Sequence, residues 1–207
     1  MKLKNTEKNE SATPSSSIIL LGVLKGYLNN PIWFLIQSKI TFKKIRRGIN
    51  LEFSEEFINT SGFMAWLYIR LREKIGQEKA FEIMRAGILT TGLAIQQANF
   101  RNVEKKRTFE NLRKFQQKLN KEGITKQNKM EILEESDKKY EFKVTSCAFF
   151  ELFSHLNVPE LTSIMCSVDN AIFNSYLPEK IVFHRNGINH TIAAGHKYCE
   201  FVIENME

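Results

Sequence analysis

The sequence predicts an α+β fold: a helical N-terminal two-thirds packed with an antiparallel β-sheet and two helices in the C-terminal third. Three observations carry this. Apolar residues recur at three- and four-residue spacing from Pro31 to about Lys121, polar and apolar residues alternate after Gly123, and turn-forming residues punctuate the alternating runs. A chain of 207 residues, 43% hydrophobic, is long enough to bury a substantial core, which excludes disorder over the whole length.

Residues 1–17 are polar, lack aromatic side chains and are expected to form a disordered tail, leaving 18–207 as a single domain. A helix starts at Pro31 with Asn30 as its cap and runs to Arg47. Its Trp33, Phe34 and Ile36 are expected to cover the domain while its Lys and Arg are solvated, and the alternative is a membrane-surface or partner-docking helix over residues 31–47. Ser54 caps the next helix, with Phe57, Met64, Leu67, Tyr68, Leu71 and Ile75 on one face and Gly76 as its stop. A third helix spans about Gln77 to Phe100, where Phe81, Met84, Ile88 and Ile95 read as core. A charged helix from about Glu104 to Lys121 turns Phe109, Leu112, Phe115 and Leu119 inward and ends at Gly123.

Met130 and Ile132, then Tyr140, Phe142 and Val144, form a hairpin around Ser136-Asp137-Lys138. Helices follow at about Cys147–Leu156 and Val158–Phe173, the second with Asn157 as cap and Glu160 three residues on. A second hairpin is expected from Lys180–Arg185 and Ile188–Ala193 around Asn186-Gly187, and a last strand over Lys197–Ile203 points Cys199, Phe201 and Ile203 to one face.

Charge narrows the function. Residues 1–50 carry nine Lys and Arg against Glu7 and Glu10, so the net +7 lies there, while residues 51–207 carry 21 basic and 21 acidic side chains. A neutral globular part is not a nucleic-acid binder by composition. The apolar stretches Ile18–Leu24 and Ile32–Ile36 are too short to span a membrane, and three cysteines without an export signal read as reduced thiols in the cytoplasm. Phosphate-loop, Gly-x-Ser-x-Gly and His-Glu-x-x-His motifs are absent.

All three cysteines and all four histidines lie between residues 147 and 199. Cys147, behind Thr145 or Ser146 as cap, sits at a helix start, where the helix dipole is expected to lower its pKa. Cys166 and Asp169 are three apart and project from one helix face, as Cys166 and Phe173 do. An Asp among Met165, Val168, Ala171 and Ile172 must find a partner or face a site. Metal binding by Cys147, Cys166 and Cys199 is chemically open, but separations of 19 and 33 residues match no zinc or iron–sulfur pattern.

The segments Val144-Thr-Ser-Cys147, Pro159-Glu-Leu, Cys166-Ser-Val-Asp169, Phe183-His-Arg185 and Thr191-Ile-Ala-Ala-Gly195-His-Lys-Tyr-Cys199-Glu-Phe201 resemble the signature of the L-2-amino-thiazoline-4-carboxylic acid hydrolase family. The likeness covers about residues 140 to 203 and, more loosely, the helices from Phe57 onward; the connection Asn186–His190 is longer than the family pattern implies. It implies a small cytoplasmic bacterial hydrolase that opens a cyclic amidine ring, breaking its C–S or C–N bond by attack of water or a cysteine. With the resemblance the site is read as Cys147, Cys166, Asp169 and Cys199, with Cys147 the first choice among the thiols as nucleophile and Asp169 orienting or protonating the amidine. Arg185, together with Thr191, would bind the substrate carboxylate; His184, His190 and His196 are candidate proton carriers by nearness in sequence, with a place on the surface or at a strand edge the preferred reading of each. The alternative from another class is a non-catalytic small-molecule or metal sensor built on the three thiols.

Overall fold

A computed structural model describes residues 16–103, 107–185 and 189–207. Eight α-helices and four strands follow one another among these residues: α1 (Ser16–Lys25), α2 (Pro31–Ile45), α3 (Glu55–Phe57), α4 (Phe63–Ile75), α5 (Gln77–Val103), α6 (Phe109–Glu122), β1 (Lys129–Glu135), β2 (Lys139–Ser146), α7 (Ala148–His155), α8 (Thr162–Tyr176), β3 (Ile181–His184) and β4 (Cys199–Asn205). The expected α+β architecture is present. Most of the tail expected over residues 1–17 lies outside the described residues, and α1 already begins at Ser16.

The caps read from sequence hold the first helices. Asn30 accepts from the Trp33 N–H ahead of α2, and Ser54 accepts from Phe57 ahead of α3. From α3 the chain passes through a π-helical stretch, Ile58–Gly62, into α4, which stops where Gly76 takes a positive φ of 87°.

The strands form one antiparallel sheet in the order β1-β2-β4-β3, with Phe142 opposite Phe201 and Val144 opposite Cys199. Tyr140, Phe142, Val144, Ile181, Phe183, Cys199, Phe201 and Ile203 share one face and pack with Phe109, Leu112 and Phe115 of α6 and with Val168, Ile172 and Phe173 of α8. A second core joins α1 to α5 with α7, and Cys147 packs against both cores.

Three expectations are corrected. The second hairpin does not form: Ile192–Ala194 is a 3-10 turn, β3 pairs with β4 instead, and Asn186-Gly187 lies outside the described residues. Asn157 does not cap α8. It adopts φ 58° and closes α7, while Glu160 instead accepts a 2.9 Å hydrogen bond from the buried Tyr68 hydroxyl and ties the Pro-Glu-Leu turn to α4. Finally, Trp33 and Ile36 do not cover the domain; they are 54% and 45% exposed, and α2 packs through Phe34, Ser38 and Phe42.

Helices α5 and α8 approach closely at Gly92, where a Cβ would lie 2.7 Å from Val168 Cγ1. Valine is stiff at χ1 and cannot swing aside. Gly92→Ala is expected to lower stability by about 1–3 kcal/mol, and adding Val168→Ala should recover most of that loss in thermal unfolding.

Candidate active site

Between the sheet, α5 and α8 lies a cavity of about 430 Å³. Its walls are mainly apolar, from Ile95, Leu119, Met130, Phe142, Val144, Phe149, Met165, Ile172, Phe173 and Phe201. Cys147, Cys166, Asp169, Arg185 and Cys199 all open onto it, so the fold brings together the three thiols, the acid and the arginine. The five arrive from four parts of the chain. Cys147 leaves the end of β2, Cys166 and Asp169 share a face of α8, Arg185 follows β3, and Cys199 begins β4.

Arg185 is 5% exposed. Its guanidinium lies 4.1 Å from the Phe201 ring centroid, its Nε donates to Asn170 Oδ1 at 2.9 Å, and its Nη2 donates to Asp169 Oδ2 at 3.4 Å. Nη1 is buried and has no hydrogen-bond partner among the described residues, and the same is true of Thr162 Oγ1, on another residue lining the cavity. Nη1 is thus a donor left unsatisfied on a residue that lines the cavity. Asp169 lines the cavity with 41% of its side chain exposed; desolvation of its carboxyl among the cavity walls raises its pKa from 3.8 to about 6, opposed by the charge and hydrogen bond of Arg185. A carboxyl that titrates near neutrality can both accept and return a proton.

The expectation of an acidic Cys147 is overturned. The N–H groups of Phe150 and Phe149 at the start of α7 do favour the thiolate, but burial outweighs them and pushes the thiol up to about 11. Neither Thr145 nor Ser146 caps this helix. Asn128 accepts from the Ala148 N–H at 2.9 Å, and the Ser146 hydroxyl instead bonds the Glu151 carboxylate. Burial also raises Cys166, to about 12, with the Asp169 carboxylate adding to the rise, and it raises Cys199 against the Ile192 N–H that donates to its sulfur at 3.2 Å. The three thiols therefore stand protonated at neutral pH.

Thr191 is not among the residues lining the cavity. It is buried, and its Oγ1 accepts from the Ala194 N–H at 3.2 Å, capping the 3-10 turn that Gly195 ends at φ 90°. The Thr-to-Gly-to-Cys part of the signature is thus one loop that delivers Cys199 to the sheet. His184 lies 3.3 Å from Glu204 on the sheet, and His190 stacks on His196 with centroids 4.2 Å apart; none of the three lines the cavity. Among the described residues, no three His, Cys, Asp or Glu side chains are grouped to hold a metal ion, so the three-thiol metal site has no geometric support.

Sequence reasoning missed Asn170, which anchors Arg185, Asn128, which caps α7, and Gly92, which lines the cavity opposite α8. Only Gly92 carried a signal, as a glycine inside a helical pattern. No curated protein and no solved structure matches the chain. A family model does: residues 56–203 match the one described as L-2-amino-thiazoline-4-carboxylic acid hydrolase.

Proposed function

The chain belongs to the L-2-amino-thiazoline-4-carboxylic acid hydrolase family, and on that premise we propose that its cavity hydrolyses a cyclic amidine carboxylate with opening of the ring. The observation that carries this reading is the meeting of Cys147, Asp169 and Arg185 on one largely apolar cavity. Arg185, whose buried Nη1 has no partner, pairs with the substrate carboxylate once the side chains covering it shift, which places the amidine near Asp169 and the thiols.

In the first step the Cys147 sulfur attacks the carbon between ring sulfur and ring nitrogen. The C–S bond to the enzyme forms, the ring C–S bond breaks, and the thiol proton passes through Asp169 to the departing sulfur. Water then attacks the same carbon. Its oxygen stays as the urea carbonyl, one proton returns to Cys147 and the other goes to nitrogen. The Phe149 and Phe150 N–H groups that favour the Cys147 thiolate would stabilise it as it forms. Cys166 and Cys199, both protonated, shape the pocket around the ring. Cavities of this size hold ligands larger than a single five-membered ring, so the apolar walls favour an amidine that carries an apolar substituent.

The direct test is turnover of L-2-aminothiazoline-4-carboxylate by the purified chain, read as release of a free thiol together with a product one water heavier. Absence of both with this substrate and with aminothiazoline carboxylates that carry an apolar substituent would sink the reading. Because Asp169 must be ionised to take a proton and its pKa is about 6, kcat/KM should fall about tenfold per pH unit below 6 and level off above it. Asp169→Asn should remove that limb along with most of the rate.

A further inference from the structure

Helix α2 is apolar on two opposite sides. Phe34, Ser38 and Phe42 face the core, and Trp66 Nε1 donates to Thr41 Oγ1 at 2.9 Å, which fixes the helix on α4. Turned away from the core are Ile32, Trp33, Ile36 and Ile40, at 56%, 54%, 45% and 55% exposure. At 3.6 residues per turn these four fall within an arc of about 100°. Four large apolar side chains in one exposed stripe are far more than scattered surface hydrophobics explain.

Charge says what the stripe meets. Lys39 and Lys43 border it on the helix, Lys44 follows, and Lys25 and Arg47 flank the helix; all are exposed, and none makes an ion pair that appears among the described residues. No Asp or Glu occurs anywhere from residue 11 to residue 51. An apolar band with a Trp and a cationic border complements an anionic bilayer surface: the band enters the headgroup–acyl boundary, the indole sits at headgroup level, and the lysines stay among lipid phosphates. No described helix is long and apolar enough to cross a membrane, so this contact is made at the surface.

We propose that the Ile32-Trp33-Ile36-Ile40 face of α2 docks this protein on anionic lipid bilayers. The test is cosedimentation of the full chain with vesicles containing phosphatidylglycerol, compared with vesicles of phosphatidylcholine alone. Wild type should partition onto the anionic vesicles and release at high salt. The triple variant Trp33→Ser, Ile36→Ser, Ile40→Ser should bind at least about tenfold more weakly. A second triple variant, Lys39→Gln, Lys43→Gln, Lys44→Gln, should lose about fivefold per lysine; it keeps the apolar face and so tests the proposal even if the serine variant folds poorly. Failure of wild type to sediment would overturn the proposal, as would equal binding to both vesicle types unchanged by either variant. So would a dimer in sedimentation velocity that the serine variant dissolves, since that outcome assigns the stripe to a second copy of the chain.

Discussion

Cys147→Ser is expected to lower kcat/KM for the aminothiazoline by at least about a thousandfold while moving the melting temperature by no more than about 2 °C. Volume and the start of α7 are almost preserved, since the Ala148 N–H is held by Asn128 and not by residue 147. What disappears under the proposed mechanism is the sulfur nucleophile. Its thiol titrates at about 11, whereas an alcohol is several units more reluctant to give up its proton. Steady-state kinetics beside calorimetry separates the two effects; a serine variant with near-normal turnover would take Cys147 out of the mechanism and leave water as the attacking group.

Arg185→Met is expected to lower stability. The methionine can keep the packing against Phe201, but it strips Asp169 and Asn170 of their partner and leaves the carboxylate with no counter-charge. Because the Asp169 side chain is 41% exposed and solvent screens its charge, the loss is about 1–3 kcal/mol at neutral pH. The sign of the pH dependence follows from linkage. Asp169 has a folded pKa raised above 3.8, so the stability tied to its neutral form is fully present below 3.8 and is lost as pH rises through the folded value, about 6 in the wild type. Without Arg185 that folded value moves up. The deficit of the variant should therefore be smaller near pH 5 and larger near pH 8, and the acid limb of kcat/KM should move to higher pH. A deficit independent of pH would show that Arg185 acts on packing alone.

The helices from Pro31 onward, the first hairpin and the meeting of the thiols with Asp169 at one cavity were legible because each rests on local rules. The spacing of Cys166 and Asp169 puts them on one face of α8, strand alternation turns Cys199 inward with Phe201, and both residues line the cavity. Three things were not legible. The direction of the Cys147 pKa depended on burial contributed by two separate cores, which a reading of the helix start alone underweights. The second hairpin competed with Thr191 as a cap and Gly195 as a left-handed stop, and the cap won. In α2, apolar residues occupy both sides, so periodicity alone could not decide which stripe the core would take. Tertiary packing chose Phe34 and Phe42 and left Trp33 outside.

The central claim is that a thiol in this cavity bonds to the amidine carbon, with Arg185 holding the carboxylate. Rapidly quenched single-turnover samples measured by intact-protein mass spectrometry test it most directly. Attack by the thiol gives a transient species heavier than the chain by the full mass of the substrate, mapping to Cys147 and decaying as the free-thiol product appears. Complete turnover with the chain mass unchanged at every quench time, and with Cys147 still open to alkylation throughout, would contradict it.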